Sequence, residues 1–109
     1  MTNITLSIAD DFSDAPGARN YDDGPDSGEE FFDKCLQPKF VEAREAGVSL
    51  IVDMDGTFGY ATSFISEAFG RLSKKYGVHD VLEMLEIVSD EDPDIKEYTI
   101  KTIMDPDAR

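Results

Sequence analysis

Two carboxylates and two hydroxyls sit in the middle of this chain at spacings that could do chemistry. Asp53 and Asp55 close the apolar run Val48 to Val52, and Thr62 and Ser63 follow a loop containing Gly56 and Gly59. Paired carboxylates can divide the roles of nucleophile and general acid–base, or share a divalent cation. Neighbouring hydroxyls at a helix start either satisfy free backbone N–H groups or accept a phosphoryl group. The β-branched run reads as a strand buried on both faces. Ile65, Ala68, Phe69, Leu72 and Tyr76 recur at helical spacing and predict a helix capped by Thr62 or Ser63. Strand, tight loop and helix start together place these four side chains at the carboxyl edge of a sheet, where α/β proteins keep their sites.

The rest of the chain must supply that sheet and its cover. Ile4, Leu6 and Ile8 alternate with polar residues, so residues 4–8 read as a first strand. Residues 10–27 form a long acidic loop with turn signals at Pro16-Gly17 and Gly24-Pro25, either functional or mobile, with room for a short strand over Arg19 to Tyr21. Arg19, its one basic residue, is expected to pair with local carboxylates, with reading a ligand as the alternative. Ser27-Gly28-Glu29-Glu30 fits a capping box and opens a helix with the stripe Phe31, Cys35, Leu36, Phe40 and Ala43. Pro38 should kink or split it, and Gly47 ends it.

After the central unit, Lys74 and Lys75 suit a helix's last turn and Gly77 its cap. Residues 79–85 read as a short helical turn and Leu85 to Val88 as a strand. Ser89-Asp90-Glu91-Asp92-Pro93 opens a helix running to about Met104, with Ile95, Tyr98, Thr99, Thr102 and Ile103 toward the sheet and a frayed tail at 105–109. The expected fold class is α/β (α+β), a small sheet with about three helices in a single domain over 1–109.

Composition narrows the function classes. Ten Lys plus Arg against 24 Asp plus Glu give a formal charge of −14, which argues against nucleic acid or an anionic membrane as partner and permits a basic protein surface. The single cysteine, Cys35, rules out an internal disulfide and reads as a buried thiol. The chain shows no signal-peptide pattern and no apolar stretch long enough to span a bilayer, so a cytoplasmic location is expected. His79 has no evident companion ligand, and neither a metal nor a cofactor is implied.

Asp53-Met54-Asp55-Gly56-Thr57 after an apolar strand resembles the first motif of the haloacid dehalogenase phosphatases, in which the first Asp attacks phosphorus and the second acts as acid and base. Such chemistry also needs Mg²⁺ on further carboxylates and a lysine to balance phosphate charge. Asp90 to Asp94 and Lys74 or Lys75 are the candidates, yet the chain between the two acidic clusters is short for bringing them to one sheet edge. The plainer reading makes Asp53 to Thr57 a strand-end turn whose side chains bond backbone.

A wider set of motifs points elsewhere. Pro16-Gly17-Ala18-Arg19, Asp23-Gly24-Pro25, Ser27-Gly28-Glu29-Glu30-Phe31, Asp53 to Tyr60, Thr62-Ser63-Phe64, Ser66 to Gly70 and Ser89 to Pro93 together resemble the STAS-like family of bacterial and phage proteins (DUF4325 type), over nearly the whole chain. That family looks like a trimmed form of the STAS domain of anti-sigma-factor antagonists. The resemblance implies a strand-end Asp at Asp53 and paired phosphoacceptor positions at Thr62 and Ser63, with Ser63 the one modified by a partner kinase of the histidine-kinase-like ATPase fold. Ala61 stands where the antagonists carry an acidic residue, and Phe64 where they carry glycine.

These readings converge on a non-enzymatic regulatory module whose protein-binding surface comprises Thr57, Phe58, Gly59, Tyr60 and Ser66 around the phosphoacceptors, with Asp53, Asp55 and Arg19 as nearby polar groups. Phe58 and Tyr60 are either an exposed contact patch or core. Two rivals remain: an acidic decoy occupying a basic, nucleic-acid-binding partner surface, and an Mg²⁺-dependent phosphohydrolase using Asp53 and Asp55.

Overall fold

In the computed structural model, residues 3–107 are described. The first strand, β1 (Ile4–Ser7), stops one residue short of Ile8 for a local reason. The Ser7 N–H donates to Asp11 Oδ2 (2.8 Å) and Ser7 Oγ accepts from the Asp10 N–H (3.2 Å). This reciprocal cap starts a single helical turn, α1 (Ile8–Asp11), which the alternation of apolar residues did not reveal. The loop that follows holds no strand at Arg19 to Tyr21, where the sequence leaves room for one. Tyr21–Asp23 is a 3₁₀ turn, closed by Asp23 Oδ2 accepting from the Asn20 N–H, and acidic side chains bonding nearby backbone compete with extension there.

Helix α2 (28–46) opens as its capping box predicts, Ser27 Oγ accepting from the Glu30 N–H at 3.0 Å. The helix runs on through Pro38, but not as one uniform α-helix. Gly28–Phe31 passes into a π turn, Phe32–Leu36, and then into Gln37–Ala46, so the wide turn just before Pro38 absorbs the proline's missing donor. Gly47 ends the helix in the left-handed conformation (φ 70°, ψ 30°), with Val48 N–H donating to Ala43 O.

Strand β2 (Leu50–Asp53) leads through a loop to helix α3 (62–76), itself interrupted by a π turn over Ser66–Gly70. Helix α4 (Val78–Met84), strand β3 (Leu85–Val88) and helix α5 (Pro93–Met104) complete the chain, the last capped by Asp92 with Pro93 in its first turn. The strands form a parallel sheet in the order β1-β2-β3, with Leu6 opposite Val52 and Val52 opposite Ile87. Leu6, Leu50, Val52 and Ile87 point into the core. The opposite face carries exposed Thr5 and Glu86 beside half-buried Ile51. The central strand is therefore buried on one face only. Its continuous apolar run misled because β-branched residues also suit a half-open sheet.

Three long helices build the cover as expected, joined by the seven-residue α4 where a short helical turn was read. Phe31 sits at its centre, with ring centroids 5.5 Å from Phe64, 6.3 Å from Phe69 and 5.2 Å from Phe12. Each buried ring contributes about 2–3 kcal/mol through the apolar surface it removes from water. Gly28 permits the approach of α2 to the start of α3: a Cβ built there lies 2.5 Å from the Phe64 carbonyl oxygen. Thr99, Thr102 and Ile103 face inward from α5, whereas Tyr98 points outward, 36% exposed. Ser73 Oγ donates to Ile103 O (2.6 Å), joining α3 to α5. Of the tail, Asp105 N–H donates to Lys101 O and Asp107 pairs with Lys74 at 2.8 Å; residues 108 and 109 lie outside the described residues.

Candidate functional site

The carboxyl ends of β2 and β3 launch two loops, 54–61 and 89–92, and these lock together. Asp53 Oδ1 first turns the chain by accepting from the Asp55 N–H at 3.0 Å. Asp55 then accepts from the Asp90 N–H (3.1 Å) and the Glu91 N–H (2.9 Å), one bond to each carboxylate oxygen. Glu91 Oε1 returns the contact by accepting from the Gly56 N–H at 2.7 Å. Gly56 has φ 90°, and a Cβ there would lie 3.1 Å from Ala9, so glycine is what the turn can hold.

This geometry corrects one inference and supports another. The short chain between Asp55 and Asp90 does bring the two acidic clusters to one sheet edge, because α3 and α4 form a complete crossover to the neighbouring parallel strand. Once there, the Asp55 carboxylate is used in backbone hydrogen bonds, as the strand-end-turn reading expects. Lys74 and Lys75 stand at the far end of α3 and are engaged with Asp107 and Gln37; at a rise of roughly 1.5 Å per residue they lie well away from the loop. Glu91 enters the site as a backbone acceptor, a role that the acidic run 90–94, read as a helix start or as metal-binding carboxylates, does not signal.

The aromatic residues divide. Phe58 is 89% exposed at the loop's outer bend, held there by its N–H donating to Asp14 O at 2.8 Å. Tyr60 turns inward, its hydroxyl donating to Met54 O (2.8 Å) and its ring 5.9 Å from Phe64. Burial, reinforced by the Asp53, Asp55 and Glu91 charges and opposed by a hydrogen bond from Thr57, pushes the Tyr60 phenol up to about 12. Gly59, between the two rings, has φ 141° and open space around it.

Neither Thr62 nor Ser63 caps α3. Ala61 holds the cap position, and its carbonyl accepts from the Phe64 and Ile65 N–H groups. Among the described residues, neither hydroxyl has a hydrogen-bond partner. Thr62 is exposed; Ser63 is half-buried in a cleft of about 520 Å³ that it shares with Arg19. Arg19 forms no ion pair among the described residues, and its Nη1 is buried without a hydrogen-bond partner, against the expected pairing with local carboxylates. Ser66 lies a turn further along, in a separate groove beside Arg71 and Lys74.

Two further groups lie away from this rim. His79 does have companions: its Nδ1 lies 3.5 Å from Asp80 and 3.6 Å from Glu83, all three exposed on α4. The Cys35 thiol is half-buried and pushed up by desolvation, then by the Asp11 and Glu30 charges, which keeps it from ionising. No helix of the described residues is long and apolar enough to cross a membrane.

A parallel α/β sheet whose loop and helix tip meet at its carboxyl edge, with helices packed over one face, defines a small STAS-like domain. Residues 27–94 match the family model of a STAS-like domain of unknown function (DUF4325), and the chain belongs to that family. The match is narrower than the motifs suggested: β1, α1 and the Arg19 loop precede it. No curated protein and no solved structure matches the chain.

Proposed function

We propose that this domain is a regulatory protein-binding module that acts by docking, without chemistry of its own, through the rim formed by residues 57–66. The observation that carries this reading is Phe58, 89% exposed yet fixed on a loop pinned at Gly56, Phe58 and Tyr60. An aromatic side chain left in water forgoes about 2–3 kcal/mol of burial. With the backbone beneath it pinned, a partner can bury the ring with little further loss of backbone freedom. Beside it stand Thr62 and Ser63, whose hydroxyls do no structural work. A phosphoryl group on Ser63 would add close to two negative charges next to the anchor and alter docking by electrostatics. A protein kinase or ATPase of the histidine-kinase-like fold is the partner that the STAS resemblance suggests.

Incubating the protein with ATP and lysate of its source cell, followed by phosphosite mapping, tests the switch: modification at Ser63 is expected, and incorporation elsewhere or nowhere overturns it. The acidic-decoy reading is favoured by the net charge of −14. It differs in expecting partner binding that weakens with salt and is indifferent to Phe58 and Ser63.

A further inference from the structure

The cleft beneath the α3 tip is lined by an arginine, one of whose buried donors has nothing to donate to among the described residues. Arg19 Nη1 is shielded from solvent and without a partner among the described residues, and Ser63 lines the same cleft, with Gly17, Gly24 and Pro25. Leaving a buried guanidinium N–H unpaired costs free energy, and a protein with 24 carboxylates has many ways to avoid it. The arginine is also not on a loose tether. The carbonyls of Ala18 and Arg19 accept from the Gly28 and Glu29 N–H groups at 2.8 and 3.0 Å, and the Tyr21 N–H donates to Glu29 Oε1 at 3.0 Å. The 18–21 backbone is thus clamped to the first turn of α2, which itself touches the start of α3 through Gly28.

We propose that the Arg19 cleft is a phosphoryl-binding site whose occupant is a phosphate carried by Ser63 itself. This rests on the reading of Ser63 as a phosphoacceptor. Three features favour that occupant. A phosphate dianion offers several acceptor oxygens in the geometry a guanidinium fork matches. Ser63 lines the cleft, whereas Thr62 is exposed and does not, which selects between the two hydroxyls. The chain's −14 charge and Asp23, which also lines the cleft, repel free anions, but a phosphoryl group tethered through the short serine side chain reaches the cleft at an effective concentration in the roughly millimolar range or above.

The group-transfer step is ordinary and needs a partner kinase with bound ATP. Ser63 Oγ forms the new O–P bond at the γ-phosphorus while the bond to the β–γ bridging oxygen breaks. ADP leaves with that electron pair, and the hydroxyl proton passes to the kinase's base. The resulting dianion would close on Arg19 and staple the 15–25 loop to the α3 tip. Asp14, the residue just before that loop, holds Phe58 through its carbonyl, so modification would be felt at the docking anchor without any new contact there.

Phosphoserine installed at position 63 by genetic encoding tests this without any kinase. The readout is the ³¹P titration of wild type, Arg19→Gln and Arg19→Lys, each first checked for native amide spectra. The expected result is a second phosphate pKa lower by about half a unit or more in wild type than in Arg19→Gln, with Arg19→Lys between them. Equal values in wild type and Arg19→Gln overturn the proposal. In parallel, inorganic phosphate is titrated into the unmodified protein. Saturable shifts at Arg19 and Ser63 with no ³¹P difference would mean a free phosphoryl ligand and would also overturn Ser63 as the source. A positive ³¹P result beside an unmodified Ser63 in lysate would refute the switch proposed above while leaving the cleft's affinity standing.

Discussion

The two neighbouring regions of the sheet rim are finished in opposite ways. In the interlocked loops, three carboxylates are taken up by backbone N–H groups: Asp53 serves Asp55, Asp55 serves Asp90 and Glu91, and Glu91 serves Gly56. In the adjoining cleft, Arg19 Nη1 and the Ser63 hydroxyl have no partner among the described residues. The carboxylates that look most like catalysts in sequence are absorbed in building the turn, and the residues that look incidental are left with unused bonding capacity. Folding accounts for the first set and leaves the second to be explained by something outside the fold.

Substitutions that break this contrast fall in a clear order. Gly28→Ala should have the largest effect, because its Cβ meets the Phe64 carbonyl at 2.5 Å and both helices must part. We expect a loss of about 3 kcal/mol in denaturant unfolding, despite alanine's better helix propensity. Asp55→Ala removes two bonds to backbone N–H groups of the neighbouring loop and should cost about 1.5–2 kcal/mol, with faster amide exchange at Asp90 and Glu91.

Tyr60→Phe should cost about 1 kcal/mol at neutral pH through the lost bond to Met54 O. Its folded phenol titrates near 12, above the unfolded value of 10.0. The protonated form is thus favoured by folding, and that contribution is whole below pH 10 and declines as pH climbs toward 12. Alkaline denaturation curves should therefore fall more steeply across this window in wild type than in Tyr60→Phe. Smallest of all, Arg19→Gln and Ser63→Ala should each stay within about 0.5 kcal/mol of wild type. A loss above that for Arg19→Gln would make the arginine a structural residue and erase the contrast.

Sequence alone revealed the periodic elements and missed what depends on the third dimension. Both capped helices, the alternating β1 and the glycine stops at Gly47 and Gly77 were legible because their causes are local. Pro38 marked an irregular helix without showing that the irregularity would be a π turn before it, and Thr62 and Ser63 misled because hydroxyls that could cap need not, when Ala61 supplies the extended backbone and carbonyl. The Asp55–Glu91 interlock needed the register of β2 with β3, which no local pattern carries. Arg19 was noticed for its charge, but its lack of partners could be seen only once the surrounding loop was in place.

The most direct test of the docking rim is a photo-crosslink in the source cell, with p-benzoylphenylalanine in place of Phe58 and, as control, in place of Leu82, which is 38% exposed on α4. The account predicts one discrete protein adduct from position 58, absent from position 82 and diminished by Ser63→Asp. Equal adducts from both positions, or none from position 58 while the partner is still retained by the folded domain, would contradict it.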